Sequence, residues 1–123
     1  MLEETFVEQT SGPVLSGDAI RYLAPELIEN SNLHATTNSD VYSFAMLILE
    51  CVTEKIPFYE HSRDAAVIHA RFIKRKIPPR PDGPSPRDRV SDGLWGLMKQ
   101  CWNVGPSDRP TMEQIYSFFV LNV

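Results

Sequence analysis

The sequence of 123 residues has few of the features that mark secreted, metal-binding or membrane proteins. Its two cysteines, Cys51 and Cys101, have no CxxC partner and no nearby histidine pair, which disfavours a disulfide or a metal site. Both lie in apolar helical patterns, where cysteine behaves as a small hydrophobic residue. No apolar run approaches the ~20 residues of a membrane span. Residues 1–20 have no basic residue that could begin a secretory signal, so a cytoplasmic protein is expected.

Concentrated positive charge is also missing from the overall composition. The chain has 12 basic and 16 acidic residues, for a net charge of −4, and its basic residues look scattered along the sequence. This balance argues against nucleic acid and against an anionic membrane as the partner. A hydrophobic content of 42% and a charged content of 23% are ordinary for a globular protein. The length allows one domain or part of a larger one.

The strongest local pattern predicts a central helix that begins at Asn38 or Ser39 and ends near Val52. One apolar stripe follows the spacing of a helical face. It consists of Val41, Phe44, Ala45, Ile48 and Val52. Because Met46, Leu47 and Leu49 are apolar as well, the helix should lie in the middle of a domain.

Four further segments favour helices, and no segment favours a strand. A short helix should begin near Pro25, where proline suits the first helical position, and residues 64–73 form a second candidate. Ser91 can cap a helix with the apolar stripe Leu94, Leu97, Met98, Cys101 and Trp102. Thr111 and Gln114 have capping-box spacing before the face Met112, Ile115, Tyr116, Phe119 and Val120. With five prolines in residues 77–89, the prediction is an all-α bundle with irregular connections.

Five short motifs occur in an order and spacing that resemble the protein kinase domain of the tyrosine-kinase-like type. They are Arg-Tyr-Leu-Ala-Pro-Glu at 21–26, Ser-Asp-Val-Tyr-Ser-Phe at 39–44, Lys-Ile-Pro-Phe at 55–58, Pro-Pro-Arg-Pro at 78–81, and Cys-Trp at 101–102 followed by Asp-Arg-Pro at 108–110. The resemblance implies the helical C-lobe portion of the kinase fold, without the N-lobe and the catalytic loop. It assigns residues 1–20 to a loop, the remnant of an activation segment, and residues 21–121 to a partial C-lobe.

The resemblance also assigns roles to individual residues. Residues 24–26, Ala-Pro-Glu, mark the end of the activation segment, and Glu26 should pair with Arg109 to tie that end to the last helices. Asp40 should accept backbone N–H groups of the catalytic loop, and Trp102 should anchor the core. The simpler alternatives are two unrelated surface charges, a carboxylate favoured by the helix dipole at Asp40, and a ligand-stacking role for Trp102.

The parts that the family uses for phosphoryl transfer are missing from the sequence. It contains no GxGxxG loop, no Val-Ala-Ile-Lys-like strand, no His-Arg-Asp and no Asp-Phe-Gly. In family order these motifs precede Ala-Pro-Glu, and the roughly twenty residues before Arg21 leave no room for them. No catalytic, cofactor-binding or metal-binding residue is therefore predicted here, although ATP and magnesium serve the family.

Departures from the family pattern add to this expectation of an inactive, pseudokinase-like chain. Asp18 and Ala19 stand where related kinases have Gly-Thr, and Ala45 stands where the central helix usually has glycine. Without the segments that surround the central helix in the family, residues such as Met46 or Leu49 are expected to face water. That exposure would make the isolated chain marginally stable and prone to associate.

Three functions are consistent with these patterns. The first is a truncated protein kinase domain, whose family activity is ATP-dependent phosphorylation of protein Ser/Thr or Tyr but which is inactive as this chain. The alternative is a non-catalytic, kinase-like module that docks a protein partner in a groove between the activation-segment end and the helix at 64–73. The third is an unrelated helical protein. The sequence does not distinguish Ser/Thr from Tyr specificity.

Overall fold

Helices and their connections make up the part of the chain described by a computed structural model, which comprises residues 19–30, 32–85 and 89–121. The α-helices in chain order are α1 (Ala19–Tyr22), α2 (Pro25–Glu29), α3 (Thr37–Thr53), α4 (Asp64–Ile68), α5 (Asp92–Cys101) and α6 (Met112–Leu121). A π-helix (His69–Ile73) continues α4, and a 3-10 turn (Pro106–Asp108) precedes α6. Within these ranges the only strand-like pairing is an isolated bridge between Asp82 and Arg89. The all-α prediction is confirmed.

The short helices at the start of the described range differ from the predicted loop. Residues 1–18 of that loop lie outside the described residues, whereas Ala19 and Ile20 form the first half of α1. Pro25 occupies the first turn of α2, as the sequence predicts. The isolated α1 turn has no apolar periodicity of its own, so its helical form depends on the side chains packed around it.

The central helix α3 begins earlier than predicted because Thr36, not Asn38 or Ser39, is its N-cap. The Thr36 hydroxyl accepts the Ser39 backbone N–H at 3.1 Å, and the Ser39 hydroxyl accepts the Thr36 N–H at 2.8 Å. This reciprocal capping box satisfies two N–H groups that the first turn leaves without helical partners. The helix ends at Glu54, whose left-handed backbone (φ 60°) stops it.

The buried face of α3 is rotated from the predicted stripe by about one residue. Val41 and Ala45 belong to both, while the other buried apolar positions are Tyr42, Met46 and Leu49. The prediction that Met46 or Leu49 faces water is wrong, because Met46 is 0% exposed and Leu49 is 5% exposed. The open side of α3 instead contains Leu47 and Cys51. On a helix that is apolar nearly all round, the neighbouring elements decide which face is covered.

The segment at 64–73 is helical as predicted, but its second half has a wider turn. The Lys74 N–H donates to the His69 carbonyl at 2.9 Å, a bond across five residues that defines the π-helix. Val67, Ala70 and Arg71 are its buried residues. They pack this segment against the rest of the domain, and α4 lies directly beside α1.

The last two α-helices are capped as the sequence predicts and are buried to different degrees. The Ser91 hydroxyl accepts the Leu94 N–H at 3.1 Å, and Thr111 and Gln114 form both bonds of a capping box. Helix α5 buries Trp95, which the predicted stripe omitted, together with Leu97, Met98 and Cys101. Helix α6 buries only Ile115, so most of its predicted apolar face is exposed.

The core joins α1, α3, α4 and α5 through contacts between their apolar side chains. It consists of Ile20, Ala24, Val41, Tyr42, Ala45, Met46, Leu49, Phe58, Val67, Val90, Trp95, Leu97, Met98, Cys101, Trp102 and Ile115. None of the helices in the described ranges is long and apolar enough to cross a bilayer.

Candidate functional site

The site with the most elaborate geometry lies where α2, the start of α3 and the turn before α6 meet. Arg109 donates from both terminal nitrogens to the two oxygens of Glu26, each at 2.9 Å. It also donates to the Asn38 carbonyl at 3.0 Å and, through Nε, to the Asn103 carbonyl at 2.8 Å. One guanidinium therefore ties together three segments that are as much as 83 residues apart in sequence.

Burial makes this pair stronger than a surface ion pair. The Arg109 side chain is 0% exposed and that of Glu26 is 19% exposed. Burial by itself would raise the pKa of Glu26, but the hydrogen bonds and positive charge of Arg109 outweigh it and hold that pKa below its usual range. The carboxylate thus stays charged near neutral pH, and the guanidinium keeps an anionic partner inside the domain.

A second buried guanidinium, that of Arg21, closes the turn after α3. Its nitrogens donate to the carbonyls of Pro57 and Phe58 at 2.9 Å each and to that of His61 at 2.7 Å. Phe58 has a left-handed backbone (φ 58°) although its side chain is buried, a conformation that costs about 1 kcal/mol or more for a residue other than glycine. The bonds from Arg21 help to hold the turn in that conformation.

A third buried guanidinium, that of Arg71, joins the π-helix to α1 and α3. It donates to the Ile20 carbonyl at 2.6 Å and to the Tyr42 hydroxyl at 2.8 Å. The Tyr42 ring has guanidinium groups on two sides, with the central carbon of Arg71 at 5.3 Å and that of Arg109 at 4.9 Å from its centroid. Tyr42 therefore connects the Glu26 pair with the contact between α1 and the π-helix.

The outer edge of the site has two further polar contacts between the Arg-Tyr motif and α3. The Tyr22 hydroxyl donates to the Glu50 carboxylate, and the Ser43 hydroxyl donates to the Tyr22 carbonyl at 2.9 Å. Together with Arg21 and Arg71 they fix α1 at both its backbone and its side chains. The end of the predicted activation segment is consequently bonded to residues from three other parts of the described chain: α3, the turn at 57–61 and the π-helix.

The structure places the residues suggested by the family resemblance in different environments. Glu26 and Arg109 come together, and Ala24 and Pro25 lead directly into α2 beside them. Asp40 lies in the first turn of α3 and is exposed, with no hydrogen-bond donor to its carboxylate in the described part of the chain. Trp102 is buried against Trp95 in an edge-to-face contact with ring centroids 5.6 Å apart. Its indole is therefore a packing surface and has no room to stack on a ligand.

Sequence reasoning missed Arg21, Tyr42 and Arg71, although signals for two of them were present. Arg21 stands inside the Arg-Tyr-Leu-Ala-Pro-Glu motif, and Arg71 follows Val67 and Ala70 with the i, i+3, i+4 spacing of one helical face. A basic residue on an otherwise apolar face indicates either exposure or an internal hydrogen-bonding role. In the structure, both arginines are buried and have the internal hydrogen-bonding role.

Two further properties of the described residues bear on ligand binding. Within ranges 19–30, 32–85 and 89–121, no three His, Cys, Asp or Glu side chains converge in a way that could hold a metal ion. A cleft of about 360 Å³ opens between the end of α3, the turn at 55–60 and the connection at 78–84. Proline, aromatic and aliphatic side chains make up most of its walls, and four charged side chains, two basic and two acidic, lie among them.

The helices centred on α3, with the Ala-Pro-Glu carboxylate bound by Arg109, are consistent with the C-lobe of a protein kinase domain. The family model for protein tyrosine and serine/threonine kinases matches residues 8–119. This chain belongs to that family.

Relatives of both specificities share this part of the sequence. Receptor-interacting serine/threonine-protein kinase 4 of Mus musculus is 38% identical over 98 residues, covering 80% of this chain and 12% of that protein. Proto-oncogene tyrosine-protein kinase ROS of Homo sapiens is 36% identical over 97 residues, covering 78% of this chain and 4% of that protein. Receptor-interacting serine/threonine-protein kinase 3 of Rattus norvegicus is 33% identical over 116 residues, covering 87% of this chain and 22% of that protein. The chain spans less than a quarter of each of these relatives.

Proposed function

We propose that this chain forms the helical platform of a protein kinase C-lobe and that, by itself, it does not transfer phosphate. The Glu26–Arg109 pair is the observation that supports the platform, and the sequence supports the lack of phosphate transfer. The bonds that hold the activation-segment end, above all the Glu26–Arg109 pair, are complete within the chain. The motifs that bind ATP and magnesium or accept the substrate proton are missing from its sequence.

Asp40 marks where the platform would meet the rest of a kinase domain. Its carboxylate is exposed at the start of α3, and none of the described residues donates to it. Such a carboxylate can accept hydrogen bonds from the free backbone N–H groups of a catalytic loop. In a polypeptide that supplies this loop and an ATP-binding lobe, we expect the family's activity, the transfer of phosphate from ATP to protein Ser/Thr or Tyr.

Catalytic inactivity is tested on the purified chain of 123 residues. It is incubated with magnesium and labelled ATP, together with a peptide mixture that contains serine, threonine and tyrosine acceptors. We expect no transfer above a blank without protein, and no rise in melting temperature on addition of magnesium–ATP. A kinase contaminant is identified by comparing Asp40→Asn, which leaves a contaminant's activity unchanged. Transfer that is reproducible and lost in Asp40→Asn would overturn the proposal.

A non-catalytic docking function is the second candidate, and the exposed surface of the helix at 64–73 favours it. The side of this helix that faces the activation-segment end packs on α1, and Arg71 bonds to the Ile20 carbonyl there. The accessible part is the outer side, where Ile68 and Ile73 are exposed. Exposed apolar side chains on a helix held rigidly by its opposite face are typical of surfaces that bind protein partners.

Docking and inactivity can be separated experimentally. A docking module should bind a selected peptide or protein with the same affinity in the presence and absence of magnesium–ATP, since no nucleotide-dependent step is involved. Substituting Ile73→Ser should weaken that binding, whereas Leu47→Ser, on the open side of α3, should leave it unchanged. Binding that is insensitive to both substitutions would place the docking surface elsewhere.

A further inference from the structure

The segment from residue 63 to residue 77, which includes α4, the π-helix and the following turn, has a charge opposite to that of the rest of the chain. It contains five basic residues (Arg63, Arg71, Lys74, Arg75 and Lys76) and one acidic residue, Asp64. The segment's charge of +4 within a total of −4 leaves −8 for the remaining residues. The expectation that the basic residues are scattered is therefore wrong for this stretch.

Most of this positive charge is on the surface. Arg71 is buried by its bonds to Ile20 and Tyr42, but Lys74, Arg75 and Lys76 are exposed. A guanidinium nitrogen of Arg75 lies 3.4 Å from a carboxylate oxygen of Glu29, and because both side chains are exposed, this ion pair contributes little to stability. The ammonium groups of Lys74 and Lys76 have no ion-pair partner among the described residues. Two strongly solvated cations are thus available beside the end of the π-helix.

Exposed isoleucines accompany these lysines. Ile73 is 67% exposed, and Ile68 and Ile77 are also exposed. Ile68 is the last residue of α4 and Ile73 the last of the π-helix, so they are slightly more than one helical turn apart and both are exposed. We call Ile68, Ile73, Lys74, Lys76 and Ile77 the basic isoleucine surface. On this surface, three apolar side chains lie beside two positively charged ones, which are at and just beyond the end of the π-helix.

Helix energetics explain only part of this pattern. Cations at the C-terminal end of a helix are stabilised by its dipole, which accounts for Arg71 in the last turn and for Lys74 at the C-cap. Lys76 lies beyond the helix, and the dipole provides no reason for three isoleucines to be in water. Val67, Ala70 and Arg71 already fix the opposite face in the core, so these isoleucines are not needed for packing.

We propose that the basic isoleucine surface binds a protein segment rich in Asp or Glu interleaved with apolar side chains. This inference rests on the docking function proposed above and names the chemistry of the partner. Acidic side chains would face Lys74 and Lys76, while apolar ones would cover Ile73 and its neighbours. The net charge of −8 on the rest of the chain, half of it on residues 1–18, makes this segment the most favourable one for an acidic partner.

The partner is a protein segment and not a lipid bilayer because of how the element is held. Insertion into a membrane needs an amphipathic helix whose apolar face can sink into the acyl region. Here the main apolar side of α4 and the π-helix is packed inside the domain, and only isolated isoleucines remain outside. The −8 on the remaining residues also opposes approach to an anionic bilayer.

The experiment selects a random peptide library against the full chain and compares the composition of bound and unbound peptides. Enrichment of Asp or Glu together with Leu, Ile, Val or Phe is expected. For a selected peptide, the double reversal Lys74→Glu with Lys76→Glu should weaken binding by about tenfold or more, and added salt should weaken it as well. Ile73→Ser should weaken it several-fold.

The matched control is the double reversal Lys55→Glu with Lys99→Glu, which changes the net charge equally at two exposed lysines outside this surface. It should leave peptide binding within about twofold of the unsubstituted chain. Circular dichroism checks that all variants retain their helix content. Equal loss in both double variants would mean a general charge effect and would overturn the proposal.

The remaining outcomes separate this inference from the docking function. Selection of neutral or basic peptides, still sensitive to Ile73→Ser, would overturn the acidic partner and leave docking standing. Failure to enrich any peptide would count against both. Vesicles that contain phosphatidylserine and double-stranded DNA are tested as other partners. If no peptide is enriched, and the chain binds one of these through Lys74 and Lys76, as shown by loss of binding in Lys74→Glu with Lys76→Glu, the surface belongs to another class of partner. That result would overturn the proposal.

Discussion

The central helix α3 and the last helix α6 have comparably apolar sequences and opposite environments. Helix α3 buries Val41, Tyr42, Ala45, Met46 and Leu49, and only its outer side is open. Helix α6 is just as rich in apolar residues but buries Ile115 alone, leaving Tyr116 70% exposed and Leu121 82% exposed. Both begin with a capping box of two reciprocal hydrogen bonds. Local sequence thus starts the two helices in the same way, and tertiary contacts make them different.

The difference teaches what a helical apolar pattern can and cannot establish. Helix α3 contacts α1 and α5, and its first turn is bonded to Arg109, so it is surrounded by elements of this chain. Helix α6 is attached through Ile115 and through Phe118, which is half-buried. We therefore expect substitutions around α3 to affect the whole domain and substitutions on α6 to act locally.

The largest expected effect is at the clamp that holds the start of α3. Replacing Arg109 by methionine removes the partner of Glu26 and the bonds to Asn38 and Asn103, so we expect a loss of about 3–5 kcal/mol in unfolding free energy. Glu26→Gln, which keeps the shape, should cost about 3 kcal/mol because the guanidinium loses its anion but keeps two carbonyl acceptors. Urea unfolding followed by circular dichroism measures both. A loss below about 1 kcal/mol in both would mean that the clamp acts as a surface pair.

The same clamp gives the stability a defined pH dependence. Because the pKa of Glu26 is lower in the folded chain than in the unfolded one, its stabilisation is fully present above the unfolded value of about 4.3. It is lost as the pH falls from there through the lowered folded pKa. The difference in unfolding free energy between the unsubstituted chain and Glu26→Gln should therefore be constant near neutral pH and shrink below about pH 4. A constant difference down to pH 2 would contradict this assignment.

A matched pair of methionines tests the contrast between the helices directly. Met46 on α3 is fully buried, so Met46→Ala should leave a cavity and cost about 2–5 kcal/mol. Met112 in the first turn of α6 is 44% exposed, so Met112→Ala should cost less than about 1 kcal/mol. Thermal or urea unfolding gives both values. Equal losses would mean that α6 is covered in solution, for example by association of two chains.

Removing the N-cap of α3 and that of α6 should cost a similar free energy but affect different parts of the chain. Thr36→Ala and Thr111→Ala each remove one capping bond, worth about 1 kcal/mol. For α3 the loss should lower the stability of the whole domain, because the helix is part of the core. For α6 it should appear as faster amide hydrogen exchange confined to residues 112–121, with little change in global unfolding. A global effect of similar size from both caps would remove the distinction.

The smallest effect on stability, but a large one on chemistry, concerns the two cysteines. Burial, partly offset by the charge of Arg109, raises the pKa of Cys101 to about 11, so its thiol should resist alkylation at neutral pH. Cys51 is exposed on the open side of α3 and should react with iodoacetamide in the folded chain. Peptide mass analysis after brief labelling distinguishes them, and labelling of Cys101 at the rate of Cys51 would indicate that α5 opens readily. Both cysteines were expected to behave as small hydrophobic residues; Cys101 is buried as such a residue would be, whereas Cys51 is exposed.

Sequence patterns predicted the position of the main helices well because apolar spacing and capping residues are local properties. The Ser91 cap, the Thr111 capping box and the proline-rich connection each depend on a few neighbouring residues. The exact start of α3 was not predictable in the same way, since Thr36, Thr37, Asn38 and Ser39 are all competent N-caps. Only the pairing of Thr36 with Ser39 decides between them.

Features that depend on distant residues were predicted least well. The stripe assigned to α3 was off by one residue because a helix that is apolar nearly all round fits two faces equally. The Arg71 bonds to Ile20 and Tyr42 join residues 51 and 29 positions apart, and no local pattern specifies them. Pairing of Glu26 with Arg109 was expected from family resemblance alone, since nothing in their local sequence indicates a contact.

The π-helix makes residues 69–73 more tolerant of the loss of one residue than a regular α-helix is. A turn closed by a bond across five residues holds one residue more than an α-helical turn. Deleting one residue from this turn would let it relax to the α-helical form while the flanking elements keep their places. Because the wide turn already holds the extra residue, the residues that follow would keep their orientation, and Lys74 and Lys76 would stay on the same side of the chain. A deletion inside a regular α-helix such as α3 would instead rotate every later residue of that helix by about 100° and turn part of its buried face away from the core. Loss of one codon in this turn is therefore a change of length that both the core and the lysines can absorb.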